Sequence, residues 1–165
     1  MRWDAGPWAP QRSNHSFVSS YWVAGEHIHT APDVYAEEIY SEPQADPKAI
    51  RVGRRLGLLI VDQFEYPPPF LVVPRLIAAA TGDFWNFRRV WFALNLAVVV
   101  AGLIIVAARF DRALGTGARW LTPFALVAPA MMVTLIMGNV QLAIIAASMI
   151  AMVLFDRGRS AAGGA

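Results

Sequence analysis

Between Val90 and Phe155 the chain carries three apolar stretches without a charged side chain, and no other feature restricts its fold as strongly. Val90 to Ala108 runs for 19 residues with Asn95 as its one polar member. Trp120 to Met137 runs for 18, interrupted by Pro123 and Pro129, and Val140 to Phe155 runs for 16. A helix rises about 1.5 Å per residue, so crossing a hydrocarbon core of roughly 30 Å takes about 17–25 residues. The first two stretches meet that length and the third stands at its lower edge. A helix bundle in water would give each helix a polar face. None of the three has one, so lipid is the solvent they need.

The charges point the same way. Only 16% of residues are charged and 56% are hydrophobic, against about 25% and 45–50% in soluble domains. Residues 1–65 hold nine Asp and Glu against six Lys and Arg, residues 66–165 hold three against eight, and the net charge is +2. The arginines of the second half punctuate the apolar runs and do not cluster with aromatics on a polar face, so nucleic acid is not a partner. Arg109, Arg112 and Arg119 share a side with Arg157 and Arg159, while Arg88 and Arg89 lie opposite. Five against two favours a cytoplasmic 109–119 loop, with the Arg88 region and Gly138-Asn139 outside, together with residues 1–65 if 68–80 re-enters. There is no cysteine, which removes disulfides and thiolate chemistry.

Two regions follow: residues 1–65, a polar extracytoplasmic loop region, and residues 66–165, the membrane region. In the first, Phe17 to Gly25 reads as a short amphipathic helix with Ser13 or Asn14 as its cap. Asp33 to Tyr40 reads as another, with Pro32 in its first turn. Ala49 to Ile60 alternates basic and apolar residues and is expected to lie along the membrane surface. Tyr66-Pro67-Pro68-Pro69-Phe70 then opens the second region, because prolines without N–H groups suit a helix's first turn. The following helix, 68–80, is short for a span and reads as half-spanning or re-entrant, with a tilted span starting at Pro68 as the alternative. The spans proper are about 90–108, 120–137 and 140–155.

Three elements in this order resemble a known family. Ser16-Phe17-Val18-Ser19-Ser20-Tyr21-Trp22-Val23-Ala24-Gly25 comes first, Asp33-Val34-Tyr35 second, and Phe64-Glu65-Tyr66-Pro67-Pro68-Pro69-Phe70-Leu71 third. With the turn Gly138-Asn139-Val140-Gln141 they resemble glycosyltransferase family 87, membrane enzymes of GT-C architecture. The chain resembles a part of such a protein, without the family's first helix and its later ones. The resemblance implies an all-α membrane protein: a GT-C-like partial helix bundle whose N-terminal extracytoplasmic loop region holds short amphipathic helices. It also implies transfer of a hexose, mannose first among them, from a polyprenyl-phosphate sugar donor to a glycan or glycolipid acceptor at the cell membrane. The protein would be multi-pass in the lipid bilayer and need no cofactor. The alternative is a non-catalytic membrane subunit or scaffold. A small transporter fits less well, since the three spans hold no ionisable residue.

That chemistry needs a carboxylate to take the acceptor hydroxyl's proton and cations or amides for the phosphate that leaves. In such enzymes the carboxylate is commonly the Asp of a DF element, and here Ser16 or His15 stands nearest that place. The candidates for catalysis are therefore Glu65, directly before the prolines, Asp62, three residues earlier and on the same face if the stretch is helical, and His15 as a replacement base. For substrate binding they are Arg75, set within the short apolar helix where a phosphate would be its partner, Tyr66, Asn139 and Gln141. Arg88 and Arg89 read as interfacial anchors beside Trp85 and Trp91. His27-x-His29 lacks a third ligand, so no metal is expected. An enzyme requires residues 15–65 to fold down onto Tyr66–Arg75 and to bring an acid close to Arg75; a scaffold requires them to project away.

Overall fold

The computed structural model describes residues 15–43, 52–57, 59–115, 117, 120, 122–126 and 128–156. They belong to two compact units, Met1–Phe92 and Ala93–Ala165, and helix predominates over strand. The first unit takes in the YPPPF segment and the start of the first long apolar helix.

Helix α1 (Phe17–His27) is the centre of the first unit. Every residue from Val18 to Ala24 is buried, so it is enclosed on all sides and not amphipathic. Ser19 and Ser20 are accommodated because their hydroxyls donate to the carbonyls of Ser16 and Phe17 in the turn behind them. Ser16 occupies the cap position without a side-chain capping bond, and Ser13 and Asn14 lie outside the described residues.

Around α1 runs a small sheet of β1 (His15–Ser16), β2 (Arg55–Leu56) and β3 (Leu59–Val61), in the order β1-β3-β2. β1 pairs with β3 in parallel, His15 opposite Ile60, and β2 pairs with β3 antiparallel. The stretch expected to lie on the membrane surface is, over its described part, a hairpin. Its alternation of basic and apolar residues is the period of two of a strand, and Leu59 and Val61 put their side chains inside. Gly57, with φ +64°, supplies the turn. Residues 33–40 are a turn and not an α-helix: Asp33 Oδ1 accepts the Tyr35 N–H at 2.9 Å, and a single 3-10 turn covers Glu37–Tyr40.

A 3-10 turn at Pro68–Leu71 leads into α2 (Val72–Thr81). Pro74 sits in α2's first turn, where its missing N–H costs nothing. Gly82, left-handed at φ +73°, ends α2, and Asp83 Oδ1 accepts the N–H groups of Trp85 and Asn86 at 2.9 and 3.0 Å to start α3 (Phe84–Leu114).

α3 is long and apolar enough to cross a membrane, and only 22% of its most apolar window is buried, unlike the core helix of a soluble protein. In the second unit α4 (Thr122–Leu126), α5 (Pro129–Ile136) and α6 (Gln141–Asp156) follow. Residues 120–137, read as one span, are divided here, because Pro129 begins a new helix and does not continue the old one. α5 and α6 are long and apolar enough to cross a membrane only when taken together, and they are bent by 112° at Gly138-Asn139.

α3 and α6 pack through small residues. A Cβ on Gly102 would lie 2.8 Å from the Ala146 Cβ and 3.1 Å from its Cα. At their ends Arg109 donates to Asp156 Oδ2 at 2.9 Å, an exposed pair that adds little. Gly102→Ala should therefore destabilise the second unit by about 1–3 kcal/mol, since the clash is with backbone as well as side chain. A melting curve in detergent reads this. An unchanged midpoint would mean the helices do not approach as closely as described.

Candidate functional site

Residues 62–66 form no helix; they are an extended crossing stretched over α1. Phe64 is buried at 1% exposure, whereas Gln63 and Glu65 on either side of it are exposed. Asp62 is half-buried, on the side of Phe64 in a period of two. Asp62 and Glu65 thus do not share a face as helical spacing would have it. Around Phe64 gather Tyr35, stacked at 5.9 Å, Phe70, stacked at 6.3 Å, and Tyr21, edge-on at 6.4 Å. Hydrogen bonds hold the crossing from three sides. The Tyr35 hydroxyl donates to the Tyr66 carbonyl at 2.9 Å, Gln63 Nε2 donates to the Tyr35 carbonyl at 2.9 Å, and the Asp62 N–H donates to Ser19 Oγ at 3.4 Å. The Tyr40 phenol donates to the Val34 carbonyl and fixes the same loop from below. Burial, with the Asp33 carboxylate second, holds that phenol well above its ordinary pKa, so it stays a donor.

Among the described residues of the N-terminal region, α1 packs onto the proline segment. Tyr21 of α1 meets the rings of Tyr66 and Phe70 at 5.6 and 5.1 Å. α1 also crosses α2 closely: a Cβ on Gly25 would lie 3.9 Å from the Arg75 Cα. Arg75 is exposed on α2, and its Nη1–H donates to Nε2 of His29, which follows α1 in the chain. Along the same helix Val72, Val73 and Leu76 are 59%, 53% and 66% exposed. A cation with a histidine beside it, bordered by bare aliphatic side chains, has the chemistry to hold a phosphate whose ester chain is a hydrocarbon.

The two histidines of the His27-x-His29 pattern go separate ways, His27 Nδ1 to the Thr30 hydroxyl and His29 to Arg75. Among the described residues no three His, Cys, Asp or Glu side chains are grouped to hold a metal. His15 lies in β1, next to the buried Ser16. In the second unit Asn139 Oδ1 accepts the Gln141 N–H at 2.9 Å, so that oxygen caps α6 after Gly138 ends α5 at φ +74°. The Gln141 side chain is exposed.

Sequence reasoning missed how differently Arg88 and Arg89 are placed. Arg89 is exposed and donates to Asn86 Oδ1 at 3.1 Å, while Arg88 is 2% exposed. Helical phase carried the signal, since Arg88 lies four residues after Phe84 and three before Trp91, on the face that packs inward.

A family model described as glycosyltransferase family 87 matches residues 64–165, which is 102 of the 165 residues. The match takes in Glu65, Tyr66, Arg75, Asn139 and Gln141 and begins two residues after Asp62. Among curated proteins and among solved structures the comparisons give no match.

Proposed function

The chain belongs to glycosyltransferase family 87, and on that premise we propose that it moves a hexose, mannose in the first instance, from a polyprenyl-phosphate donor to a glycan or glycolipid acceptor. It would do so as a multi-pass protein of the cell membrane with a GT-C-like arrangement, residues 15–65 lying on the outer side. The observation that supports this reading most is the edge of α2, where Arg75 and His29 meet beside the bare aliphatic side chains of Val72, Val73 and Leu76.

In this reading the acceptor hydroxyl oxygen attacks C1 of the hexose and gives its proton to Glu65, with Asp62 the second candidate for that part. The bond from C1 to the phosphate oxygen breaks, and its electron pair leaves on the phosphate. Arg75 compensates the charge that gathers there. Tyr66 borders the sugar next to Glu65, and Asn139 and Gln141 remain candidates for substrate binding. His15 is the base only if neither carboxylate serves.

The test is a transfer assay with a labelled prenyl-phosphate hexose on membranes holding the wild-type or the Arg75→Gln chain. The exposed position predicts an unchanged melting midpoint together with a KM for the lipid donor raised about tenfold or more. An unchanged KM would remove Arg75 from the donor site.

A further inference from the structure

α3 turns one face into the first unit, formed by Phe84, Phe87, Arg88 and Trp91, which are 7%, 0%, 2% and 3% exposed. Trp22 of α1 meets Phe84 and Phe87 at 6.2 and 5.3 Å between ring centroids, and Tyr21 meets Trp91 at 5.2 Å. The pattern asks for an apolar side chain at position 88, and a guanidinium stands there. Among the described residues it is the one buried charged side chain, and neither its Nε nor its Nη1 has a hydrogen-bond partner. A guanidinium taken out of water keeps its charge, and burying it without an anion is among the costliest arrangements a fold can hold. In apolar surroundings an arginine is paired, hydrated or in contact with a ligand's anion.

We propose that Arg88 is an internal receptor for a phosphate group, and that the bound phosphate is the one carried by the lipid-linked sugar donor. A phosphate offers several charged acceptor oxygens, which is what more than one unanswered N–H on a cation requires. The surrounding wall of Trp22, Phe84, Phe87 and Trp91 is apolar and aromatic, which suits an amphiphile's phosphate better than a free hydrated ion. The proposal rests on the glycosyltransfer reading for its choice of ligand alone; the unanswered buried charge stands without it.

An unpaired buried charge makes a stability prediction opposite in sign to that of a structural arginine. Arg88→Met keeps the volume and removes the charge. It should raise the melting midpoint of the ligand-free chain in detergent by about 3 °C or more. It should also weaken binding of farnesyl phosphate at least about tenfold. Quenching of tryptophan fluorescence reads the binding, since Trp22 and Trp91 border the site. Arg88→Lys, which keeps a point charge without the planar fork, should recover part of that affinity.

Inorganic phosphate is the second probe. Wild-type affinity for farnesyl phosphate at least tenfold higher assigns the site to a lipid headgroup, and equal affinities assign it to a free anion and overturn the lipid part. A lowered midpoint in Arg88→Met shows an arginine with a structural partner and overturns the proposal, as does undiminished binding. If the wild type binds farnesyl phosphate through Arg88 but transfers no hexose, the transfer reading fails and this one stands. If it transfers hexose while Arg88→Met binds the donor normally, the reverse holds.

Discussion

Membranes carrying the Glu65→Gln chain should transfer hexose about 100-fold more slowly than the wild type, or worse, with expression and melting midpoint unchanged. A positioned general base contributes roughly 10²–10⁴ in rate, and glutamine keeps the shape of the side chain while losing the ability to take a proton. Glu65 is exposed and lies between the buried Phe64 and Tyr66, whose carbonyl is fixed by the Tyr35 hydroxyl. Its backbone is therefore held from both sides while its carboxylate remains accessible to an acceptor. The half-buried Asp62 is the necessary comparison. If Asp62→Asn abolishes transfer and Glu65→Gln leaves it intact, the base is Asp62 and the assignment of the two carboxylates must be exchanged.

The largest stability effect is expected at Phe64. Its ring is 1% exposed and is packed by Tyr21, Tyr35, Tyr66 and Phe70, so it joins α1, the 33–40 loop and the proline segment in one cluster. Truncating a buried phenylalanine to alanine costs about 3–5 kcal/mol, from lost transfer energy and from the cavity left behind. Phe64→Ala should thus melt the first unit and release residues 15–43 to proteolysis while the α3–α6 pair persists. Limited proteolysis followed by mass spectrometry distinguishes this from general unfolding. A protected N-terminal region in the variant would show that the cluster does not hold it.

Much of this arrangement was legible in the residues, and the rest failed for identifiable reasons. The apolar run after Val90 declared α3, and Phe17 to Gly25 declared most of α1, because long or compact apolar periods leave few alternatives. The sheet was hidden, since β1 is two residues long and its partner Ile60 lies 45 positions away from His15, too far for any local pattern. Pro129 looks in the sequence like an interruption within a span, whereas it opens a separate helix. Around the candidate site, Glu65 before the prolines and Arg75 within the short apolar helix are visible in the sequence as an acid and a cation. His29 beside Arg75 and the burial of Arg88 are not, because each depends on how helices pack and not on spacing along the chain.

The central claim, that a phosphate-linked prenol delivers the sugar, is met most directly by supplying the whole chain in proteoliposomes with a radiolabelled mannose on two donors in parallel. The account predicts label passing from polyprenyl-phosphate mannose to a lipid or glycan acceptor, abolished by Glu65→Gln, and none passing from a nucleotide-linked mannose. Transfer from the nucleotide sugar alone would contradict it.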